Sequence, residues 1–363
     1  MVREEILRWL LETDSARLQE LWRRADEVRR HHVGDAVHLR GLVEFSNRCV
    51  RQCGYCGMRA GNSKLPRYRM TSDEILASAR LAHDLGYGTL VLQSGEDPSM
   101  DPEWLAAVVR KITTTMPLAV TLSVGEWPPE ALQLWREGGA DRYLLRFETA
   151  DEDLLRRIHP PLPGRPWSRF EILRSLGDLG YEVGSGILIG VPGQTFGELA
   201  RCIELLRELE LDMIGSGPFI PHPETPLGRS PVHFSSLEGG YGAGGLSARD
   251  QVPPDDIMTY KVLALARIVR PYANIPATTA LATLDRASGY EKGLQRGANV
   301  IMPNVTPVRY RSLYHVYPGK VSSAPSDDTY YADIKARIEA LGRTVGVGPG
   351  SSACWSGAAA SCP

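Results

Sequence analysis

The sequence predicts a parallel (βα)8 barrel. Three observations carry that prediction. Short β-branched runs alternate with longer amphipathic segments until eight strands have been laid down. Clusters of polar, Gly and Pro residues follow the ends of those runs, on the face where barrel enzymes keep their chemistry. The competing architecture, a doubly wound open sheet, usually carries a glycine-rich phosphate loop after its first strand. Here that position holds cysteines instead.

The elements follow in order. Arg3 to about Arg30 reads as one or two charged helices ahead of the repeat. The first strand is His38 to Phe45, ending at the cysteines. Thr71 and Glu74 have the spacing of a capping box and open a helix that runs to Leu85. Strand two is Thr89 to Gln93, closed by Ser94-Gly95-Glu96-Asp97, and a helix from about Asp101 leads to strand three, Leu118 to Ser123. After a helix over Pro129 to Arg136 comes strand four, Arg142 to Arg146. Strand five is Glu182 to Ile189, six is Met213 to Ser216, seven is Asn274 to Thr278 and eight is Asn299 to Met302. Ser230 to Pro254 reads as a long surface loop, and Gly346 to Pro363, nearly all Gly, Ala, Ser and Cys, as a flexible tail. The organisation expected is a helical extension over 1–35, the barrel over 36–345 and the tail over 346–363.

Composition narrows the function. Lys+Arg 41 against Asp+Glu 43 leaves a net charge of −2, which argues against a nucleic-acid binder held by a basic face. No apolar run approaches the ~20 residues of a membrane helix. The N-terminus mixes acids and bases without an apolar signal core, so a reducing cytoplasmic setting is expected.

Six cysteines in 363 residues are too few for a disulfide scaffold, but three fall together as Cys49-x3-Cys53-x2-Cys56. Thiolates select soft or borderline metals, chiefly iron–sulfur clusters and zinc. A structural zinc site normally closes with four ligands, and no second Cys pair or HxxxH motif completes one here. Three thiolates suit a [4Fe–4S] cube in which one iron stays open to a small molecule. The cluster reading is preferred to zinc, and both to disulfide pairing. Cys202 has helical spacing and reads as a buried structural thiol, and Cys354 and Cys362 read as idle ones. Glu96 and Asp97 read as hydrogen-bonding residues of the cofactor side rather than a catalytic carboxylate pair. His222, between two prolines at a strand end, fits a turn residue or a pocket residue equally. Arg59, Lys64, Arg67 and Arg69 read as a solvated basic loop, with docking of an electron donor as the alternative.

CxxxCxxC after the first strand of such a barrel, with Tyr55 before the last cysteine, resembles the radical S-adenosylmethionine (SAM) superfamily. The stretches Cys56-Gly57-Met58-Arg59, Gln93-Ser94-Gly95-Glu96-Asp97, Gly125-Glu126-Trp127-Pro128 and Ile275-Pro276-Ala277-Thr278-Thr279 resemble, in that order, the HydE family of [FeFe]-hydrogenase maturases. So do Asn299-Val300-Ile301-Met302-Pro303-Asn304 and Tyr317-Pro318-Gly319-Lys320, and the likeness spans roughly residues 36 to 345. Methylornithine synthase is a near relative and biotin synthase a more distant one.

The resemblance implies one [4Fe–4S] cluster on Cys49, Cys53 and Cys56, with SAM on the open iron. It implies that Gln93 and Ser94 lie beside SAM, that Glu148 and Arg169 hold its polar groups, and that Tyr314 lines the same pocket. It implies that Arg40, Thr121, Arg142, Thr278, Thr279 and Tyr317 line the interior where substrate or anions sit. The activity implied is reductive cleavage of SAM to a 5′-deoxyadenosyl radical, which attacks the cysteine sulfur of an iron–CO–cyanide–cysteine precursor. HydG would supply that precursor, the GTPase scaffold HydF would act downstream, and ferredoxin or flavodoxin would donate electrons in an anaerobic or oxygen-protected cytoplasm. No nucleic-acid or membrane partner is expected. Two features depart from the family. Phe147 stands where it commonly has histidine, and 321–328 lacks the second cysteine group of some members, so no second cluster is expected there. The alternatives are a lysine mutase like methylornithine synthase and an iron–sulfur scaffold without catalysis.

Overall fold

The computed structural model describes residues 1–164, 168–229, 250–320 and 328–355. Five parallel strands run in sequence order around most of a ring: β1 (Ala36–Ser46), β2 (Thr89–Ser94), β3 (Ala119–Ser123), β4 (Arg142–Leu144) and β5 (Glu182–Ser185). Met213–Ile214 pairs with β5, Met213 bridges Asn274, Pro276 bridges Val300, and Val300–Ile301 pairs with β1. The barrel therefore closes, with all its pairings parallel, as expected. Its seventh position is two bridges rather than a ladder, because Pro276 sits in the middle of the segment and has no N–H to give. Strands five and six break at Gly186 and Gly215 and resume as Leu188–Ile189 beside Gly217–Pro218. The two glycines touch: a Cβ on Gly186 would lie 2.1 Å from the Gly215 carbonyl oxygen.

Outward residues of the strands pack against the helical ring. Val43, Phe45, Leu90, Leu92, Val120 and Leu122 are all buried in one continuous core. The helix Ser72–Asp84 starts at the predicted capping box, with Thr71 and Glu74 each bonding the other's backbone N–H. The N-terminal extension forms α1 (Arg3–Leu11) and α2 (Ser15–Val33). Both pack on the helix Asp256–Val269, whose buried Lys261 donates to the carbonyls of Leu10 (2.8 Å) and Glu12 (2.6 Å). Among the described residues no helix is long and apolar enough to cross a membrane.

The tail corrects the expectation of flexibility over its described part. Thr344–Val345 pairs with Ala36–Val37, and residues 346–355 then cross the N-terminal mouth of the barrel. The carbonyl of Pro349 accepts from Thr89 (2.9 Å) and Arg142 (3.1 Å). That of Gly350 accepts from Arg40 (3.0 Å) and Asn274 (2.9 Å). Ser351 Oγ accepts from Arg142 (2.8 Å), and the Ser352 N–H donates to Glu182 (2.8 Å). Small residues allow so close an approach: a Cβ on Gly350 would lie 2.4 Å from the His38 ring, and one on Gly88 would lie 1.7 Å from the Gly348 oxygen. Low complexity here marks a backbone that fills a ring of charges. Cys354, expected to be idle, is disulfide-bonded. Cys362, and the parts of the Ser230–Pro254 and 321–328 stretches over 230–249 and 321–327, lie outside the described residues.

Two outcomes are expected. Ending the chain at Val345 removes these bonds and leaves the buried Arg142–Glu182 pair facing water. The apo-protein should lose about 3 kcal/mol or more in urea unfolding, and an unchanged midpoint would refute the plug. His38, against the tail, is pushed down to about 4 by burial and by Arg40 and Arg142. A depressed histidine contributes stability that is present above about pH 6.5 and lost as pH falls toward 4. The pH dependence of unfolding over that window should flatten in His38→Gln.

Candidate active site

The cysteines lie on the loop that leaves β1 at the C-terminal mouth of the barrel. That loop is pinned by its backbone. Arg67, read from sequence as solvated, donates 2.7 Å bonds to the carbonyls of Asn47, Met58 and Arg59. Asn47 donates to Pro66 and Leu313, both at 2.8 Å. Within the Cys-Gly-Tyr-Cys-Gly stretch, Gly54 N–H bonds Ile158 (2.7 Å) and Gly57 N–H bonds Val316 (2.8 Å). A Cβ on Gly95, after β2, would lie 2.3 Å from the Arg48 oxygen and 2.7 Å from Cys49 Cβ, so the loop rests directly on the end of β2.

Cys49, Cys53 and Cys56 are free thiols, and Cys53 is buried. Burial raises all three pKa values, Cys56 to about 12, and Cys49 and Cys56 raise Cys53 further. Three desolvated thiols this close cannot ionise without a cationic partner, which is the condition under which a metal centre deprotonates its ligands. They are not drawn into a closed set. Among the described residues no three His, Cys, Asp or Glu side chains stand together as a metal group, and Cys53 Sγ instead lies 3.0 Å from His159 Nδ1. The donor chemistry, three thiolates and no fourth, fits a [4Fe–4S] cluster with one open iron.

Around Cys53 lies a buried polar network. Arg169 donates to Glu126 (2.8 Å), and its Nη2 lies 2.9 Å from His159 Nε2. Arg51 pairs with Glu126 and, at 2.8 Å, with Glu96. The Glu126 N–H donates to Glu96 (3.1 Å). Burial opposes the Glu126 charge, but His159, Arg169 and Arg51 outweigh it and hold the carboxyl well below its usual range. Burial and Arg169 push His159 down to about 4. Arg51 and His159 escaped the sequence reading. No motif marks Arg51, and His159 merely ends the helix Glu152–Ile158. Glu96 belongs to this network, and Asp97 pairs with Arg69.

Glu148 follows β4 with φ 66°, a left-handed conformation that costs a non-glycine residue energy and concentrates at functional sites. Tyr55 OH donates to its Oε1 (3.2 Å) and Arg169 lies 3.8 Å away. Its buried Oε2 makes no hydrogen bond, though Arg146 is 2.8 Å off. A carboxylate on a strained backbone, with lone pairs left beside its ion pair to Arg146, suits the ribose hydroxyls or ammonium of SAM. Gln93 and Ser94 end β2 on the same mouth, half-buried. Tyr314 is buried within the electrostatic reach of Cys49 and Cys56.

The six interior residues separate. Thr278 caps the helix Thr279–Leu284 at the C-terminal mouth, and Tyr317 bonds Thr283 of that helix. Thr121 lies midway, its buried Oγ1 without a hydrogen bond. Arg40 and Arg142 lie at the opposite end, occupied by the tail and Glu182. The interior holds a further pair that was missed. Buried Glu44 of β1 pairs with Lys320 and accepts from Asn304 (3.0 Å), and the Lys320 ammonium is 4.8 Å from the Tyr314 ring centroid. A glutamate inside an apolar strand was the available signal. Of the remaining readings, Cys202 is buried and bonds Glu198 (2.8 Å). His222 packs under Gly57 of the cysteine loop, 3.0 Å from His315.

A closed parallel barrel with a three-cysteine loop after β1 is a radical SAM architecture, and the model of the Radical SAM superfamily matches residues 43–206. The chain is 45% identical over 343 residues, 94% of its length and 91% of the relative's, to the [FeFe] hydrogenase maturase subunit HydE of Thermotoga maritima. It is 27% identical to the 3-methylornithine synthase of Methanosarcina acetivorans, over 82% of this chain and 78% of that one. The crystal structure of methylornithine synthase (PylB) superposes with a TM-score of 0.75 at 23% identity, covering 95% of this chain and 94% of that chain. The chain belongs to the HydE family, within the radical SAM superfamily. It is a radical SAM enzyme whose cofactors are a [4Fe–4S] cluster and SAM.

Arg51→Met removes the cation that Glu96 and Glu126 share and leaves Arg169 to hold Glu126. Urea unfolding of the apo-protein should show a loss of roughly 3–5 kcal/mol, whereas a change below ~1 kcal/mol would remove the network from the role given to it.

Proposed function

We propose that this protein is a maturase of the [FeFe]-hydrogenase active site, acting on an iron–CO–cyanide–cysteine precursor held inside the barrel. The observation that carries this reading is the 45% identity to a HydE maturase over 94% of the chain, beside a superfamily match over residues 43–206 that takes in the cysteine loop. Cys49, Cys53 and Cys56 hold the cluster, which when reduced supplies the electron that splits SAM into methionine and a 5′-deoxyadenosyl radical. The protein's own part is positioning. Glu148 and Arg169 hold the polar groups of SAM, Gln93 and Ser94 flank it, and Tyr314 closes the pocket wall. Thr121, Thr278, Thr279 and Tyr317 line the space in which the precursor's cysteine sulfur meets the radical. Arg40 and Arg142 close the N-terminal end of that space, where the tail and Glu182 already engage them. The precursor comes from HydG, the product passes toward HydF, and a ferredoxin or flavodoxin reduces the cluster in an anaerobic cytoplasm.

Glu44 favours this reading over the lysine mutase. A lysine pocket needs a carboxylate free to face the substrate ammonium, and the buried Glu44 carboxylate already faces Lys320.

The test uses the reconstituted enzyme with dithionite and SAM. About four irons per chain, 5′-deoxyadenosine and methionine are expected, and about eight irons would contradict the single cluster. Cys53→Ala should abolish both the cluster signal and SAM cleavage. Glu148→Gln should weaken SAM binding about tenfold or more while the cluster still loads. Formation of methylornithine from added lysine would overturn the maturase assignment. A reduced-cluster spectrum indifferent to SAM would point to the non-catalytic scaffold.

A further inference from the structure

We propose that His159 is a positioning residue for the cluster, donating its Nδ1–H to the sulfur of Cys53 and joining that ligand to the arginine of the SAM pocket. The inference rests on the cluster assignment above and adds a residue to it.

The geometry assigns the hydrogen. His159 Nδ1 lies 3.0 Å from Cys53 Sγ, and its Nε2 lies 2.9 Å from Arg169 Nη2. Arg169 Nη2 also lies 3.3 Å from Nδ1 and so does not choose between the ring nitrogens, but the sulfur does. A cluster-bound Cys53 thiolate has no hydrogen to give, so a nitrogen 3.0 Å from it must donate. Glu126 Oε1, 3.2 Å from Nε2, can accept there as well as from Arg169 Nε at 2.8 Å, so that end of the ring does not place the hydrogen. The ring cannot swing away. It is buried at the end of the helix Glu152–Ile158, and the backbone N–H of Gly54, next after Cys53, is tied to the carbonyl of Ile158, next before His159. Cys53 and His159 are thus held together by backbone on one side and by Arg169 on the other.

An N–H aimed at a cluster sulfur stabilises the added negative charge of the reduced state, so its loss makes reduction harder. A hydrogen bond to a charged group is worth about a factor of ten in equilibrium, which for a one-electron couple equals about 59 mV. Because Arg169 also lies 3.8 Å from Glu148, the same chain of contacts runs from the sulfur to the carboxylate assigned to SAM.

The experiment uses the reconstituted full chain labelled with 15N-histidine. Pulsed EPR of the reduced cluster should show a weak 15N coupling that disappears in both His159→Phe and His159→Asn. The midpoint potential of His159→Phe should fall by the equivalent of about tenfold. His159→Asn, whose amide nitrogen can occupy the Nδ1 position, should recover most of that fall. No histidine coupling in the wild-type protein overturns the proposal by itself, even if a variant fails to load. So does a coupling that survives the substitutions, which would belong to another histidine, or an unchanged potential in loaded His159→Phe. A chain that never takes up a cluster would defeat the functional reading instead. Cluster uptake and SAM cleavage without the coupling would defeat only this inference.

Discussion

The buried charges Arg51, Glu96, Glu126 and Arg169 are the constraint on which the mouth of the barrel depends. They come from four separate segments: the cysteine loop, the turn after β2, the turn after β3 and the helix Arg169–Asp178. Taking such charges out of water is costly, and their attraction offsets the cost only if every partner is in place. The network therefore works as an all-or-none alignment of those segments. It also explains how the cysteine loop, which carries little secondary structure, keeps a defined shape.

The opposite end of the barrel solves a similar problem differently. Arg40, Arg142 and Glu182 are as buried as the charges of the mouth, but carbonyls and a hydroxyl of the tail satisfy much of what they leave open. Burial with Arg142 alongside lowers Arg40 to about 9, a sign of how tightly two cations are held there. The interior is thus polar at both ends, and toward the C-terminal mouth, level with Gln93, Glu44 and Lys320 neutralise each other.

Much of the fold was legible because strands and caps are local. The strand order, the capping box of Thr71 and the side of the barrel that carries the cysteines all follow from periodicity and turn chemistry. What was not legible depends on distance in sequence. Arg51 meets Glu126 across 75 positions, and Lys320 meets Glu44 across 276. No window of sequence contains both members of such a pair. Glu96 and Asp97 were given to the cofactor because their arginines, one on each side of the loop, could not be matched to them in advance. The tail failed for a different reason. Composition rich in Gly, Ala and Ser records the absence of side chains to pack, and it reads the same whether the backbone is loose or threaded through a narrow space. Only the bonding partners distinguish the two, and those lie in β1, β2, β4 and β5.

The plug also sets an order of events during synthesis. β1 pairs with Val300–Ile301 and Thr344–Val345, and residues 346–355 leave the ribosome after every strand of the ring. A nascent chain can fold outward from β1 through β5 as each segment emerges. Yet Arg40 and Arg142 keep their contact with water until the tail is free to cover them. During translation the floor is open while the cysteine loop, made early, is already exposed. The metal end of this molecule is available before the sealed end exists.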